Sequence, residues 1–140
     1  MTRSYRVAVV GATGVVGTTM LELLRERRFP AGEIVPFATE RSDGRELDGG
    51  LTVRALGDQA DLSGFDVALF SAGGGTSREW APRFVEAGAT VIDNSSAWRR
   101  DPEIPLVVSE VNPHALDRHR GLIANPNCST MQLMVALAPI

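Results

Sequence analysis

The sequence predicts an α/β fold, in which helices cover both faces of a doubly wound, mainly parallel β-sheet. Short apolar runs rich in β-branched residues alternate along the chain with segments whose apolar residues recur at helical spacing. Several runs are apolar throughout, which is typical of parallel strands buried on both faces. Glycine-rich stretches follow two of these runs, and doubly wound sheets bind ligands at that carboxyl edge.

The first unit is a strand, a turn and a helix. Residues 6–10 read Arg-Val-Ala-Val-Val and form the strand. Val16, Met20, Leu23 and Leu24 follow at i, i+4, i+7 and i+8, which is the spacing of an amphipathic helix. Arginines close this helix, where they suit the negative end of its dipole.

The turn between them, residues 11–17, has the spacing G-x-x-G-x-x-G. Gly11 allows the tight turn, Gly14 lets the backbone approach a pyrophosphate, and Gly17 lets the helix pack closely on the sheet. The phosphates would rest on the helix N-terminus. Glycines alone could serve only turning and packing, but a strand before them and a helix after them predict a Rossmann-like dinucleotide-binding domain.

The end of the second strand, predicted over residues 34–38, bears on the choice of cofactor. Pro36 suggests an irregular or edge-like position in that strand. Thr39-Glu40-Arg41-Ser42 follows it and carries both charge signs. Arg41 and Ser42 could donate to the 2′-phosphate of NADP, whereas Glu40 could accept from the ribose hydroxyls of NAD. We expect NADP, with Glu40 otherwise a solvated turn residue.

The remaining sheet is predicted from five runs and one helix. Residues 51–56 alternate like a half-exposed strand, and apolar runs at 63–70, 90–92, 106–108 and 121–124 predict strands. A helix over residues 77–87 places Trp80, Phe84 and Val85 on one face, which we expect to face the core.

Ser71-Ala72-Gly73-Gly74-Gly75-Thr76-Ser77 follows the strand predicted over residues 63–70. Three consecutive glycines leave backbone unshielded at the ligand-binding edge. We expect this loop to pass over the cofactor, with Ser71 and Gly73 in contact with it. The alternative is a flexible connector.

A second polar block, Asp93-Asn94-Ser95-Ser96-Ala97-Trp98-Arg99, emerges at the same predicted edge. Arg99 could hold an anion together with Asn94, because a guanidinium binds phosphate in a fixed fork. We expect Trp98 to pack rather than bind. His114 and His119 match no metal-site spacing and are expected at the surface.

Cys128 is the only cysteine and lies between a predicted strand and a predicted helix. Ser129 and Thr130 are natural N-cap residues, so the sulfur is expected at a helix N-terminus. There the dipole and the unpaired backbone N–H groups favour the thiolate and could hold an oxyanion. The alternative is a small buried cysteine without chemistry.

Composition excludes several classes of protein. The chain has 140 residues, is 44% apolar and carries a net charge of −3, with scattered basic residues, so we expect no nucleic acid or membrane partner. One cysteine cannot form an internal disulfide, which fits a cytoplasmic protein. All 14 basic residues are arginine, so lysine Schiff-base chemistry is excluded within this chain.

Five blocks in this order resemble the aspartate-semialdehyde dehydrogenase family. They are Gly11-Ala12-Thr13-Gly14-Val15-Val16-Gly17, Leu69-Phe70-Ser71-Ala72-Gly73-Gly74, Val91-Ile92-Asp93-Asn94-Ser95-Ser96-Ala97-Trp98-Arg99, Val108-Ser109-Glu110-Val111-Asn112-Pro113 and Ile123-Ala124-Asn125-Pro126-Asn127-Cys128. The glycine turn is shared with many reductases, whereas the Asn-Ser-Ser-Ala-Trp-Arg and Asn-Pro-Asn-Cys blocks are specific.

The resemblance implies NADP- and phosphate-dependent oxidation of L-aspartate 4-semialdehyde to 4-phospho-L-aspartate, run reductively in cells for lysine, threonine and methionine biosynthesis. It implies that Cys128 is the nucleophile and that Arg99 contacts phosphate with Asn94 beside it. The cofactor-contacting positions are then Gly11, Thr13, Gly14, Val15, Val16, Arg41, Ser42, Ser71 and Gly73.

The family's catalytic histidine, its glutamine and its substrate-carboxylate arginine lie beyond the nucleophile, so neither histidine of this chain takes that role. We therefore expect residues 1–127 to form the NADP-binding domain and residues 128–140 to begin a catalytic and dimerisation domain. Residues 1–140 alone should bind nucleotide without turnover, and the complete protein should be a homodimer or homotetramer.

Three alternatives remain. N-acetyl-γ-glutamyl-phosphate reductase shares the chemistry, but Asn127 rather than glycine before the cysteine argues against it. A short-chain dehydrogenase needs a Tyr-x-x-x-Lys pair, whereas Tyr5 is the only tyrosine and lysine is absent from these residues. A non-catalytic nucleotide-binding module would explain residues 11–17 but gives no role to Cys128 or Arg99.

Overall fold

The computed structural model describes residues 3–140 and contains eight strands and three helices within them. The strands are β1 (Tyr5–Val10), β2 (Ala31–Ala38), β3 (Glu46–Leu47), β4 (Leu51–Thr52), β5 (Arg54–Ala55), β6 (Val67–Phe70), β7 (Thr90–Asp93) and β8 (Leu122–Ala124). The helices are α1 (Val15–Glu26), α2 (Gly74–Glu86) and α3 (Cys128–Leu137), with short 3-10 helices at Glu40–Ser42 and Pro113–Arg118.

Six strands form one parallel sheet in the order β5-β2-β1-β6-β7-β8, which confirms the predicted doubly wound fold. The chain leaves β1 toward β2 on one side and later returns to β6 on the other, so the switch point lies between β1 and β6. The strands β3 and β4 form a separate antiparallel pair.

Alternate side chains of β1 point to opposite faces of the sheet, and a different helix covers each face. Val7 and Val9 pack with Leu21 of α1, whereas Ala8 and Val10 pack in the cluster that includes α2. This is the burial on both faces that the continuous apolar run predicts.

Aromatic rings fill the core on the α2 side. Phe84 of α2 lies 5.5 Å from Phe70 and 5.9 Å from Phe37 between ring centroids, both in edge-on geometry. Trp80 is also buried here, as predicted, while Val85 is only partly buried. The rings fix α2 against the ends of β2 and β6, and so fix the position of its N-terminus.

Three predicted strands differ in the structure. The strand predicted over residues 63–70 begins only at Val67. Residues 51–56 split into β4 and β5, because the N–H and C=O of buried Val53 pair with Arg45 and Gly44 instead of a neighbouring strand. Residues 106–108 make only a bridge from Leu106 to β8, because the N–H of Val108 donates to the side chain of Asn112 at 2.7 Å.

Pro36 is buried in β2 and pairs with Val9 of β1. The short strand β5 reaches only Phe37 and Ala38, so the other side of β2 carries no strand at Pro36. The proline therefore removes no ladder hydrogen bond, and the predicted edge-like position is found. Within residues 3–140, no helix has the length and apolarity that crossing a bilayer requires.

Candidate active site

Two glycine turns lie side by side where β1 and β6 end. Gly11 has a φ of +87°, and a Cβ at this position would collide with the carbonyl oxygen of Ser71. A Cβ on Gly17 would likewise collide with the carbonyl oxygen of Gly11. Both positions therefore require glycine, Gly11 for its turn and Gly17 for the approach of α1 to the sheet.

A cleft of about 350 Å³ opens above these turns. Its lining includes Gly11, Thr13, Gly14, Thr39, Ser71 and Trp80. The cleft lies at the switch point of the sheet, where doubly wound folds bind nucleotides. Four of the predicted cofactor positions, namely Gly11, Thr13, Gly14 and Ser71, therefore meet around one space.

The helix N-termini at this cleft suit a pyrophosphate. The N-cap residues of α1 and α2 are Gly14 and Gly73, and neither helix has a side-chain cap. A Cβ on Gly14 would meet only the carbonyl of Gly11 at 3.5 Å, and one on Gly73 would meet nothing within 4 Å. Uncapped N–H groups beside open space at two helix ends form a cradle for anionic oxygens.

Val15 and Val16 begin α1 and are exposed, Val15 by 85%. Exposed apolar side chains at a cradle of this kind would be covered by a bound dinucleotide.

The predicted glycine loop is shorter than expected, because Gly74 and Gly75 already belong to the first turn of α2. Only Ser71, Ala72 and Gly73 link β6 to the helix, which leaves little room for a flexible connector.

Arg41 and Ser42 lie in the 3-10 helix that follows Thr39, a residue of the cleft lining. The side chain of Arg41 is exposed and pairs with no acidic group in residues 3–140. Glu40, the competing NAD signal, lines a separate groove together with Asp43. Their roles toward a cofactor remain predictions.

Arg99 is held between the ends of β7 and β8. Its Nε donates to the backbone carbonyl of Asn125 at 2.8 Å, and its Nη2 donates to the backbone carbonyl of Asn94 at 3.1 Å. Two of the five guanidinium N–H groups are thereby used, so three remain for an anion. The sequence predicts that Asn94 holds the anion together with Arg99. In the structure, the backbone carbonyl of Asn94 instead orients Arg99.

Cys128 is the first residue of α3 and is exposed, unlike a packing cysteine. The N-cap is Asn127, whose side-chain oxygen accepts from the N–H of Ser129 at 3.0 Å. The expectation that Ser129 and Thr130 cap the helix is wrong, because the helix begins one residue before them. The sulfur nevertheless stands at a helix N-terminus, as predicted.

The strands that lead to Arg99 and Cys128 are neighbours. The N–H of Asn125 donates to the carbonyl of Asp93 at 2.8 Å, which joins the end of β8 to the end of β7. The predicted anion site and the predicted nucleophile therefore emerge at the same sheet edge as the glycine cleft. A nucleotide cleft, an arginine and an exposed thiol at one edge can support thiol chemistry that uses a dinucleotide.

A family model described as "semialdehyde dehydrogenase, NAD binding domain" matches residues 6–119. The chain belongs to the semialdehyde dehydrogenase family. It contains the family's NAD-binding domain.

Two curated relatives of this NAD-binding domain carry the same name. The chain is 57% identical to aspartate-semialdehyde dehydrogenase of Aquifex aeolicus, over 97% of this chain and 42% of the relative. It is 58% identical to the enzyme of that name from Streptomyces akiyoshiensis, over 96% of this chain and 40% of the relative. The chain thus spans about two fifths of the length of the curated relatives it matches.

Solved structures agree with this family assignment. Aspartate semialdehyde dehydrogenase II from Vibrio cholerae, complexed with ASA, has a TM-score of 0.91 and 53% identity, covering 98% of this chain and 46% of that one. The Candida albicans enzyme, solved with NADP, has a TM-score of 0.81 and 26% identity over 98% of this chain and 46% of its own.

Sequence reasoning missed two hydrogen-bonded pairs, which include three buried polar residues of this semialdehyde dehydrogenase domain. The carboxyl group of Asp93 accepts from the hydroxyl of Ser95 at 2.6 Å, and both residues are buried. The hydroxyl of Ser77, also buried, accepts from the indole of Trp98 at 2.8 Å. The position of Asp93 directly after an apolar run was the sign in the sequence that could have indicated its pairing with Ser95.

The two histidines, His114 and His119, do not line the cleft. His114 is exposed, and His119, also exposed, accepts from the N–H of Gly121 through Nδ1 at 3.1 Å. No group of three or more potential metal ligands occurs in the part of the chain that the structure describes.

Proposed function

We propose that a protein carrying this chain is an NADP-dependent, phosphorylating aspartate-semialdehyde dehydrogenase. It would convert L-aspartate 4-semialdehyde, phosphate and NADP+ to 4-phospho-L-aspartate and NADPH, and would run reductively in amino-acid biosynthesis leading to lysine, threonine and methionine. The observation that carries the proposal is the hydrogen bond between Arg99 and Asn125, because it ties an anion-binding group to the segment that ends in Cys128.

In the reductive direction, the Cys128 sulfur would attack the acyl carbon of the acyl phosphate. The carbon–oxygen bond to phosphate breaks, phosphate leaves with that electron pair, and a thioester remains on Cys128. The first-turn N–H groups of α3 that the Asn127 cap leaves free would stabilise the oxyanion that develops during the attack, because they lie at the positive end of the helix dipole.

The departing phosphate would be received by Arg99, whose three remaining N–H groups can bind it end-on. The backbone carbonyls of Asn94 and Asn125 fix the other edge of the guanidinium. A fixed fork binds phosphate with less loss of side-chain entropy than a mobile one, since its orientation is set before the anion arrives.

When bound, the nicotinamide cofactor supplies the hydride that reduces the thioester to the aldehyde. The N-termini of α1 and α2, at Gly14 and Gly73, would hold its pyrophosphate. Arg41 and Ser42 would hold the 2′-phosphate, and this preference for NADP is supported by the position of Glu40 in a separate groove.

The relatives are more than twice as long as this chain, since the chain covers 40–42% of them. We therefore assign turnover, the general base and oligomer formation to a further domain, and nucleotide binding to this one. The complete enzyme would be a homodimer or homotetramer, with no nucleic acid or membrane partner.

The deciding experiment uses the full reading frame that contains this chain. NADPH formation is followed by its absorbance with aspartate semialdehyde, with and without phosphate. We expect formation only when phosphate is present. Activity with N-acetylglutamate semialdehyde instead would keep the chemistry and change the substrate, whereas NADPH binding without activity on either aldehyde would leave a nucleotide-binding module.

A further inference from the structure

Asp93 is a buried carboxylate at the end of β7, with 0% of its surface exposed. Its Oδ2 accepts from the hydroxyl of Ser95, but its Oδ1 has no hydrogen-bond partner within residues 3–140. Burying a carboxylate oxygen without a partner is unfavourable, so a residue of this kind needs a reason beyond packing. The reason lies in the turn that Asp93 begins.

Ser95 connects Asp93 to the backbone of that turn. Its hydroxyl donates to Asp93 at 2.6 Å and accepts from the N–H of Ala97 at 3.1 Å. Because the Asp93 oxygen accepts the serine proton, the lone pairs of the hydroxyl are left for the N–H of Ala97. The carboxylate therefore determines which way the serine bonds, and thereby the course of the backbone two residues before Arg99.

Asp93 also joins this turn to the strand that leads to the cysteine, because its backbone carbonyl accepts from the N–H of Asn125 at 2.8 Å. Asn125 in turn accepts from Arg99 at 2.8 Å through its own carbonyl. The side chain of Asp93 forms no ion pair with Arg99 within 4.0 Å, so the charge of the guanidinium is not neutralised locally.

We propose that Asp93 is a positioning residue for the anion site, acting through Ser95 on the turn that carries Arg99. The carboxyl group fixes the turn through Ser95, and the turn carries both the Asn94 carbonyl and Arg99 itself. The guanidinium keeps three N–H groups directed away from the carbonyls that hold it. This inference rests on the proposed function, because it takes the anion to be the phosphate of the reaction.

The test measures KM for phosphate, KM for NADP and kcat in the full reading frame. We expect Asp93→Asn to raise KM for phosphate about tenfold, because the amide either buries an NH2 group without a partner or turns that group onto the Ser95 hydroxyl. We expect Ser95→Ala to raise it about fivefold, because the link between Asp93 and Ala97 is lost. KM for NADP should change less than about twofold in both variants, because the glycine cleft is separate. Ser96→Ala, an exposed serine in the same turn, is the matched control and should leave all three constants unchanged.

A double variant separates positioning from general damage to the fold. In an Arg99→Ala background, Asp93→Asn should change KM for phosphate less than about twofold, because the group it positions is already gone. An unchanged KM for phosphate in Asp93→Asn, or an equal rise in KM for NADP, would overturn the inference. If Asp93→Asn does not fold, Ser95→Ala decides by the same criteria.

The same measurements distinguish failure of the inference from failure of the proposed function. A reaction that proceeds without phosphate, or an Arg99→Ala variant with normal KM for phosphate, rejects the anion site and with it the role of Asp93. A phosphate-dependent enzyme that needs Arg99 but tolerates both Asp93→Asn and Ser95→Ala rejects only the positioning role.

Discussion

The guanidinium of Arg99 donates to the backbone carbonyl of Asn125, with 2.8 Å between nitrogen and oxygen, across 26 positions of the chain. The bond joins the loop after β7 to the segment after β8. It makes the location of the positive charge depend on the same backbone that leads into α3, so the charge and the thiol cannot move independently.

Replacing Cys128 with serine should abolish turnover and leave NADPH binding unchanged. The side chain is exposed at the start of α3, so the substitution removes the nucleophile without disturbing the core. Turnover is measured in the full reading frame and the dissociation constant by titration of NADPH. A variant that no longer binds NADPH would show that the cysteine is structural.

Replacing Arg41 with alanine should weaken NADPH by roughly tenfold or more and NADH by much less. A charge-assisted hydrogen bond to the 2′-phosphate would be lost, and NADH has no such phosphate. Arg45→Ala is the matched control, since Arg45 is also an exposed arginine in the segment after β2 but lines a separate cavity beside α1. Equal weakening of both nucleotides by Arg41→Ala would contradict a role toward the 2′-phosphate.

Gly14→Ala and Gly17→Ala should separate nucleotide binding from stability. Gly14 has ordinary extended dihedrals and room for a methyl group, so alanine should change the unfolding free energy by less than about 0.5 kcal/mol while obstructing the pyrophosphate. Gly17→Ala would clash with the Gly11 carbonyl and should cost about 1–3 kcal/mol.

Denaturant unfolding and NADPH titration of both glycine variants check this prediction. Strong destabilisation by Gly14→Ala, or normal stability of Gly17→Ala, would show that the turn is packed differently.

Asn127→Ala should destabilise the start of α3 by about 1 kcal/mol, because the N–H of Ser129 loses its acceptor. Asn127→Asp keeps an oxygen at the same place and should retain most of that stability. Hydrogen exchange at the first amides of α3 measures the difference. Equal exchange rates in the two variants would mean that the cap does not stabilise the helix.

The sequence predicted the sheet well because the decisive pattern is local. The apolar run before Gly11 and the helical spacing after it depend only on near neighbours, and both elements are found. The family resemblance is also confirmed by the match over residues 6–119. The carboxyl-edge location of Arg99 and Cys128 followed from the parallel order of the strands.

The errors arise where distant groups decide the structure. The start of α2 at Gly74 was missed because glycine has a low helix propensity, whereas packing of Phe84 and Trp80 holds the helix in place. The interruption at Val53 depends on partners eight or nine positions earlier. The pairing of Asp93 with Ser95 is local, but the burial that gives it significance is not visible in sequence.

Each of the two tryptophans of the chain lies next to a part of the proposed site. Trp80 lines the nucleotide cleft, and Trp98 precedes Arg99 and is bonded to Ser77 at the start of α2. The tryptophan fluorescence of this chain therefore comes from the site itself. Nucleotide occupancy can be followed optically through Trp80 and events at the anion loop through Trp98, with single Trp→Phe variants separating the two signals and no dye attached.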